Sequence, residues 1–278
     1  MKIAISAEST IDLPKEMLKE YNISTIAFPL LLGEDEYLDN EIKPTEIFDF
    51  VNKTKVLPKT SAINQHQYCE YFSDLLKEYD AVVHIALSSG ISSTCRNAQF
   101  AAAELKNVYV IDSKTLSTGI ALLALYAKKL CDSGETVEDI YKKTQKQAEN
   151  LCASFIIDRL DYLYKGGRCS ALALLGANVL KLHPQIIMKD GTMQVAKKYM
   201  GKLEKIISGF GEDLLKAYDN PNLETAFITY TTASEEMLEN AKSVLKNAGF
   251  KNIYSTLAGA TISCHCGENT LGFFYLRQ

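Results

Sequence analysis

The first 150 residues alternate between short apolar runs and amphipathic stretches, and no other feature of the sequence restricts the possible folds as strongly. The apolar runs have the length of buried strands. Between them, apolar residues recur at the spacing of one helix face. Strands that alternate with helices form a largely parallel sheet with helices on both faces. We therefore predict an α/β fold with strands at Ile3–Ser6, Ile23–Leu32, Ala81–Leu87 and Val108–Ile111.

Two of the intervening helices carry recognisable N-terminal signals. Asn64 stands three residues before Gln67, and Thr136 directly precedes the apolar positions of a later helix. Asn and Thr are favoured N-caps, and a Gln at the third helical position completes a capping box. The first of these helices has one apolar face, which consists of Tyr68, Phe72, Leu75, Leu76 and Tyr79.

The pattern changes near Leu151, where a second and smaller domain is predicted. Asp190-Gly191 lies between two short apolar runs, which is a strong signal for a β-hairpin. An amphipathic helix follows from about residue 203, and the rest of the chain again alternates strand and helix. We predict a parallel-sheet α/β domain at residues 1–150 and an α+β domain at 151–278, the latter with strands at Ser154–Ile157, Gln185–Met188, Met193–Lys197, Ala226–Tyr230 and Ile253–Leu257.

The charge balance argues against a nucleic-acid-binding protein. The chain has 30 basic and 34 acidic residues, a net charge of −4, and no basic stripe that would neutralise a phosphate backbone. Its longest apolar stretch, around Gly119–Ala127, is too short to span a bilayer, and Met1–Ser6 shows no apolar signal core. Seven scattered cysteines fit reduced thiols. We expect a cytoplasmic protein with no integral membrane segment.

Hydroxyl-rich turns follow several of the predicted strands. They occur after the strands that end near Ser6, Leu87 and Ile111, and a further pair, Thr60-Ser61, precedes a helix. Ligands of parallel sheets bind outside the carboxyl ends of the strands, and hydroxyls with free backbone N–H groups suit an anion. Each turn alone is better explained as a helix cap. Together they predict a carboxylate or phosphate site.

Several well-known sites have no counterpart in the sequence. The glycine-rich nucleotide loops and the G-x-S-x-G nucleophile elbow are absent. Cys264-His265-Cys266 has the wrong spacing for zinc, since adjacent residues of an extended segment point to opposite sides. We predict no metal, no cofactor and no catalytic residue, and we interpret the other histidines, His66, His84 and His183, as structural.

Six short motifs, in order along essentially the whole chain, resemble the DegV family. None of these motifs is specific by itself, but the occurrence of all six in this order is specific. They are Thr60-Ser61, Ser88-Ser89-Gly90-Ile91-Ser92, Val110-Ile111-Asp112-Ser113, Gly166-Gly167-Arg168, Leu182…Pro184…Asp190-Gly191, and Ala258-Gly259…His265-Cys266-Gly267.

This resemblance implies a long-chain fatty acid held between the two domains, in a lipid-binding protein that is not itself an enzyme. It also implies a partner, an ATP-dependent fatty acid kinase subunit that converts the bound carboxylate to an acyl phosphate. By the matching motifs, Thr60, Ser61 and Ser92 would bind the carboxylate and His265 would lie beside it. Arg168 would contact the phosphoryl group or the kinase. A buried carboxylate needs such donors.

Three positions differ from the family pattern. Glu8 replaces a frequent Asp, Ser93 replaces a Gly, and Gly267-Glu268-Asn269 replaces a Gly-Pro turn. Glu268 would bring a negative charge close to the predicted phosphoryl position, so that fatty-acid binding is better supported than coupling to a kinase. Candidate residues for the acyl tunnel are Phe28, Leu30, Ile91, Leu116, Leu122 and Leu172.

Two other functions remain open at the level of sequence. The first is a stand-alone hydrolase with Ser92 as nucleophile and His265 as base, which would need a third residue to orient the histidine. The second is a carrier of another amphipathic carboxylate, such as an isoprenoid or retinoid-like acid. Analysis of the ligand that copurifies with the protein would separate these functions.

Overall fold

The structure is a computed structural model that describes residues 1–169 and 182–278. Its strands, in chain order, are β1 (Ile3–Glu8), β2 (Ile23–Ile26), β3 (Pro29–Leu32), β4 (Asp35–Leu38), β5 (Lys59–Thr60), β6 (Ala81–Ala86), β7 (Val108–Asp112), β8 (Leu151–Ile156), β9 (Leu182–Lys189), β10 (Thr192–Met200), β11 (Pro221–Tyr230), β12 (Asn252–Leu257) and β13 (Leu271–Arg277). Its helices are α1 (Lys15–Glu20), α2 (Pro44–Thr54), α3 (Gln65–Leu75), α4 (Thr94–Glu104), α5 (Thr118–Asp132), α6 (Val137–Gln147), α7 (Leu160–Lys165), α8 (Leu203–Ala217), α9 (Glu235–Asn247) and α10 (Ala260–Cys266).

The first half of the chain forms a four-stranded sheet of order β2-β1-β6-β7 in which every neighbouring pair is parallel. The predicted α/β class is therefore confirmed. The two helix caps are confirmed as well. Asn64 accepts a bond from the Gln67 N–H at 2.9 Å, and Thr136 accepts one from the Asp139 N–H at 3.2 Å.

The single strand predicted at Ile23–Leu32 is wrong. Strand β2 ends at Ile26, and the chain then leaves the parallel sheet and forms β3 in a separate antiparallel sheet of order β4-β3-β5. Pro29 has no N–H to donate to a ladder, which places it at the start of a strand rather than inside one. At the break, the Phe28 N–H donates to Ser9 Oγ at 3.1 Å. The apolar run continues past this break, but the hydrogen bonding to the parallel sheet does not.

The second half of the chain forms a six-stranded mixed sheet of order β10-β9-β8-β13-β11-β12, in which only β11 and β12 are parallel. The predicted hairpin is present as β9 and β10. Its turn residues, Asp190 and Gly191, have φ values of 51° and 78°. Positive φ at both positions is the requirement of a type I′ turn, which explains the Asp-Gly pair.

Helix α5 lies between the two sheets and contacts strands of both. Every residue from Thr118 to Ala124 is buried, as expected for a helix that is covered on all sides. Its first residue bonds across the contact, with Thr118 Oγ1 2.6 Å from Thr229 Oγ1 of β11. One hydrophobic cluster consequently includes residues of both sheets. The division into domains at residue 150 stays a prediction.

Candidate functional site

The carboxyl ends of β1 and β6 lie side by side, and Glu8 at the end of β1 fixes the loop that follows β6. Its Oε2 accepts a bond from the Leu87 N–H at 2.8 Å, and its Oε1 accepts one from the Tyr68 hydroxyl at 2.7 Å. The Tyr68 hydroxyl also lies 2.7 Å from Thr94 Oγ1. Glu8, Tyr68 and Thr94 are fully buried. Glu8 thus holds the start of this loop in place by a buried hydrogen bond.

Most hydroxyls of the predicted anion turns bond within the protein. Ser88 Oγ donates to the Gly191 carbonyl at 2.7 Å and Ser89 Oγ to Asp112 at 2.5 Å. Ser113 Oγ contacts the Thr115 carbonyl at 3.3 Å. The expectation that all four turns face one anion is therefore wrong, because these side chains are used to close the loops. Thr60-Ser61 and Ser92-Ser93 are different, since both pairs line a pocket.

This pocket, here called the His265 pocket, has a volume of about 160 Å³. The lining residues that the structure describes include no carboxylate, and Arg168 is the only one among them that is cationic at every pH of interest. Such a lining favours an anionic group joined to an apolar one. The lining consists of Phe28, Thr60, Ser61, Ala62, Leu87, Ile91, Ser92, Ser93, Leu116, Arg168, Met193, Thr261, Ile262, His265 and Cys266.

All five residues predicted for the site line this one pocket. Thr60, Ser61 and Ser92 come from the loops of the first half of the chain, and Arg168 and His265 come from the second half. Ser61 is exposed at the rim, while the other four are partly buried. The proximity of these side chains is an observation. Their roles toward a ligand stay predictions.

His265 joins the two halves of the site. Its Nε2 lies 2.7 Å from Thr60 Oγ1, and its buried Nδ1 has no hydrogen-bond partner among the described residues. Burial, and to a lesser degree the positive charge of Arg168, lowers the pKa of His265 to about 4. The ring is therefore neutral near pH 7, so that it acts as a hydrogen-bonding group and not as a cation.

The extended conformation expected at Cys264-His265-Cys266 is wrong, because these residues end helix α10. Successive helical side chains point about 100° apart, so they do not converge on one ion either. Among residues 1–169 and 182–278, no group of three metal-ligating side chains is placed to hold a metal. Burial raises the pKa of Cys266 to about 12, so the thiol at the pocket wall stays protonated.

Two buried carboxylates hold the first turn of α10. Asp12 Oδ1 accepts a bond from the Gly259 N–H at 2.8 Å, and Asp39 accepts one from the Thr261 N–H. The Ser117 hydroxyl donates to Asp12 at 2.6 Å. Burial raises the pKa of Asp12 well above its usual range, and the nearby charge of Asp39 adds to this effect. Neither residue could be predicted from the sequence, since nothing local distinguishes them from surface acids.

The Gly166-Gly167-Arg168 motif has a steric explanation. A Cβ on Gly166 would lie 2.8 Å from His265 Nδ1, so that only glycine allows the ring to pack there. Gly167 has a φ of 72°, which is in the left-handed region that favours glycine. Arg168 Nη1 then donates to the Gly166 carbonyl at 2.5 Å, and burial lowers the pKa of its guanidinium. The motif thus places a half-buried cation beside the neutral histidine.

Glu268 is not among the residues that line the His265 pocket. Its carboxylate lies 4.0 Å from Arg159 Nη1 and 3.5 Å from Asn52 Nδ2. The expectation that this residue brings its charge to the phosphoryl position is therefore not supported by its position. Arg159 itself forms a two-point pair with Asp161, with both N–O distances at 2.9 Å.

A second crevice lies next to the pocket and shares part of its lining. Both are lined by Leu116, Ile262 and Cys266, and the crevice extends to Phe155 and Phe274 of the mixed sheet. Of the predicted tunnel residues, Phe28, Ile91 and Leu116 line the pocket. Leu30 and Leu122 belong to the core instead, and Leu172 lies outside the described residues.

The chain matches the family model described as "Uncharacterised protein, DegV family" over residues 2–278. "Protein DegV" of Bacillus subtilis is 30% identical over 276 residues, which are 98% of each chain. The "Fatty acid-binding protein" of Thermotoga maritima is 28% identical and covers 98% of this chain and 97% of its own length.

Solved structures have the same fold along the whole chain. A structure described as fatty acid binding of a DegV family protein from Thermus thermophilus superimposes with a TM-score of 0.90 at 26% identity. The crystal structure of DegV, described as a fatty acid binding protein from Bacillus subtilis, gives 0.87 at 29% identity. Each comparison covers 100% of both chains.

The first testable prediction concerns the protonation of His265. A histidine with a pKa near 6.5 in the unfolded chain and about 4 in the folded one binds more protons when unfolded, so stability falls as pH drops from 6.5 towards 4. Between pH 7.5 and 5.5, the wild-type protein should lose roughly 1 kcal/mol more unfolding free energy than His265→Gln. Urea denaturation at the two pH values measures this difference.

His66→Gln is the matched control, since the His66 side chain is 82% exposed. It should keep the wild-type pH dependence. Equal losses of stability in the wild type and in His265→Gln would contradict a neutral, desolvated His265.

Proposed function

The chain belongs to the DegV family, and we propose that it binds a long-chain fatty acid in the His265 pocket and presents the carboxylate to an ATP-dependent kinase partner. One observation carries the proposal. Neutral hydrogen-bonding side chains, one arginine and apolar side chains line the same pocket. This is the combination that a fatty acid requires.

The proposed head-group contacts follow from the Thr60–His265 bond. When the neutral ring carries its proton on Nε2, it donates to Thr60 Oγ1 and leaves the Thr60 hydroxyl proton free to donate outward. Ser92 Oγ accepts a bond from the Thr94 N–H at 3.2 Å, so its own proton is free as well. These two hydroxyls and that of Ser61 would compensate the cost of burying a carboxylate.

The proposed tail path leads from the pocket into the neighbouring crevice. The volume of about 160 Å³ is smaller than the ~300 Å³ at which drug-sized ligand sites begin, so a long chain needs further space. Movement of Leu116 and Ile262, which line both cavities, would connect them. At ~0.8 kcal/mol per buried CH₂, a chain of about 16 carbons gains roughly 12 kcal/mol before ordering costs.

In the kinase step, the partner would phosphorylate the carboxylate that this protein presents. One carboxylate oxygen attacks the γ-phosphorus of ATP, the bond to the bridging oxygen breaks, and ADP leaves as the acyl phosphate forms. Arg168 is half-buried at the pocket, where its guanidinium could contact the phosphoryl oxygens as they arrive. In this scheme, the protein supplies the substrate, and the partner supplies the nucleotide site.

The geometry supports binding over hydrolysis. A hydrolase would need His265 as the base for Ser92, but His265 Nε2 contacts Thr60, and burial lowers the pKa of the ring to about 4. A base with so low a pKa takes up a serine proton poorly at neutral pH.

The second testable prediction concerns the head-group hydroxyls. Removing both donors in Thr60→Val/Ser92→Ala should weaken fatty-acid binding by about 3–6 kcal/mol, since each of the two bonds to a charged group contributes ~1.5–3 kcal/mol. Displacement of a fluorescent fatty acid by hexadecanoate measures the affinity. Failure of the wild-type protein to bind the probe would overturn the proposed function. Tighter binding of a retinoid acid than of hexadecanoate would make the protein a carrier of another amphipathic carboxylate.

Thr54→Val/Ser133→Ala is the control, because it removes the same number of hydroxyls from exposed positions outside the pocket. It should bind hexadecanoate with wild-type affinity. If the pocket variant also does so while its thermal unfolding is unchanged, the carboxylate binds elsewhere.

The third testable prediction separates binding from phosphoryl transfer. Arg168→Ala should change fatty-acid affinity by less than about threefold but strongly slow acyl-phosphate formation with a cognate kinase, because a group that contacts only the transferred phosphoryl stabilises only the later state. Arg159→Ala is a control with the same loss of charge. A loss of affinity as large as the loss of rate would make Arg168 a carboxylate ligand.

A further inference from the structure

Thr261 has an unused hydroxyl at the wall of the His265 pocket. The residue is 4% exposed, and its Oγ1 has no hydrogen-bond partner in the part of the chain that the structure describes. Among the described residues, only Thr261 and His265 both line this pocket and hold a buried polar atom without a partner. Buried hydroxyls without a partner are costly and uncommon, so a ligand atom is the natural partner of this one.

Thr261 stands four residues before His265 on α10, so both side chains lie on the same face of the helix. Residues at this spacing have Cβ atoms about 5–6 Å apart. If the carboxylate is bound beside His265, Thr261 therefore faces the first few carbons of the acyl chain rather than its far end.

The surroundings of Thr261 disfavour a second negative charge. Its own backbone N–H donates to the buried carboxylate of Asp39. An anionic group at Thr261 Oγ1 would lie close to this carboxylate and be repelled. A neutral alcohol meets no such repulsion, and a threonine hydroxyl can both donate to it and accept from it.

We propose that Thr261 Oγ1 recognises a hydroxyl group on the acyl chain close to the carboxylate, so that 3-hydroxy fatty acids are preferred ligands of this protein. The inference rests on the proposed function and deepens it by naming the substrate class. It makes Thr261 a specificity-determining residue, whereas Thr60 and Ser92 serve the carboxylate that all fatty acids share.

The test compares two acids of equal length on Thr261→Val, which keeps the shape of the side chain and removes the hydroxyl. Displacement of a fluorescent fatty acid measures the affinity of hexadecanoate and of 3-hydroxyhexadecanoate. Wild-type protein should bind the hydroxylated acid about three- to tenfold more tightly than Thr261→Val does, the range of one neutral hydrogen bond. Hexadecanoate should bind both proteins within about twofold of each other.

Two further comparisons isolate the hydroxyl. Thr261→Ser keeps the group and should keep the preference, and its thermal unfolding shows whether changes at this position disturb the fold. With 12-hydroxyoctadecanoate, whose hydroxyl is remote from the carboxylate, Thr261→Val should bind as wild type does.

The possible failures differ from one another. Equal weakening of both 16-carbon acids in Thr261→Val would make Thr261 a carboxylate ligand and overturn the inference. Unchanged affinity for both acids would also overturn it, while leaving fatty-acid binding intact. If wild-type protein binds neither acid, the proposed function fails, and the specificity assigned to Thr261 fails with it.

Discussion

The arrangement of the site depends on carboxylates that accept hydrogen bonds from backbone amides across long distances in the sequence. Asp12 accepts bonds from the Gly259 N–H at the start of α10 and from the Ser117 hydroxyl at the start of α5, and it thereby joins both helices to the loop after β1. Asp39 adds a bond to the next turn of backbone at Thr261. Leaving such a buried amide without its acceptor costs about 1–3 kcal/mol, so these bonds hold α10 in one position.

The buried acidic residues and the polar residues that line the pocket have separate roles. Glu8, Asp12 and Asp39 are buried behind the pocket, where backbone and hydroxyl donors satisfy them. The described lining of the pocket contains hydroxyls, a neutral histidine and one arginine, but no carboxylate. The acids therefore determine where the donors stand without meeting an anion at close range. A site for a carboxylate needs this separation, because like charges in a dry pocket repel strongly.

Local rules predicted the parts of the fold whose cause is local. The caps at Asn64 and Thr136 and the Asp190-Gly191 turn follow from side-chain and backbone preferences over a few residues. The break at Pro29 could have been found from the proline, but the continuous apolar run concealed it. The five residues predicted for the site were chosen through the family resemblance and not by periodicity.

The features that could not be predicted from the sequence depend on tertiary contacts. Helix α10 is only seven residues long, and its first turn is held by acids 247 and 222 positions away in the chain. No local pattern encodes such partners, and an extended segment was expected there. Thr261 escaped notice for a related reason. The relevant observation is that its hydroxyl has no hydrogen-bond partner among residues 1–169 and 182–278, which only the three-dimensional structure can reveal.

The Thr60–His265 bond makes the arrangement of the polar side chains in the pocket depend on both halves of the chain. The two residues are 205 positions apart, and the bond joins β5 of the first half of the chain to α10 of the second half. It fixes the orientation of the Thr60 hydroxyl, and the burial that lowers the pKa of His265 depends on the packing around α10. The neutral state of the ring and the orientation of the hydroxyl are therefore determined by contacts between the two halves rather than by either half alone.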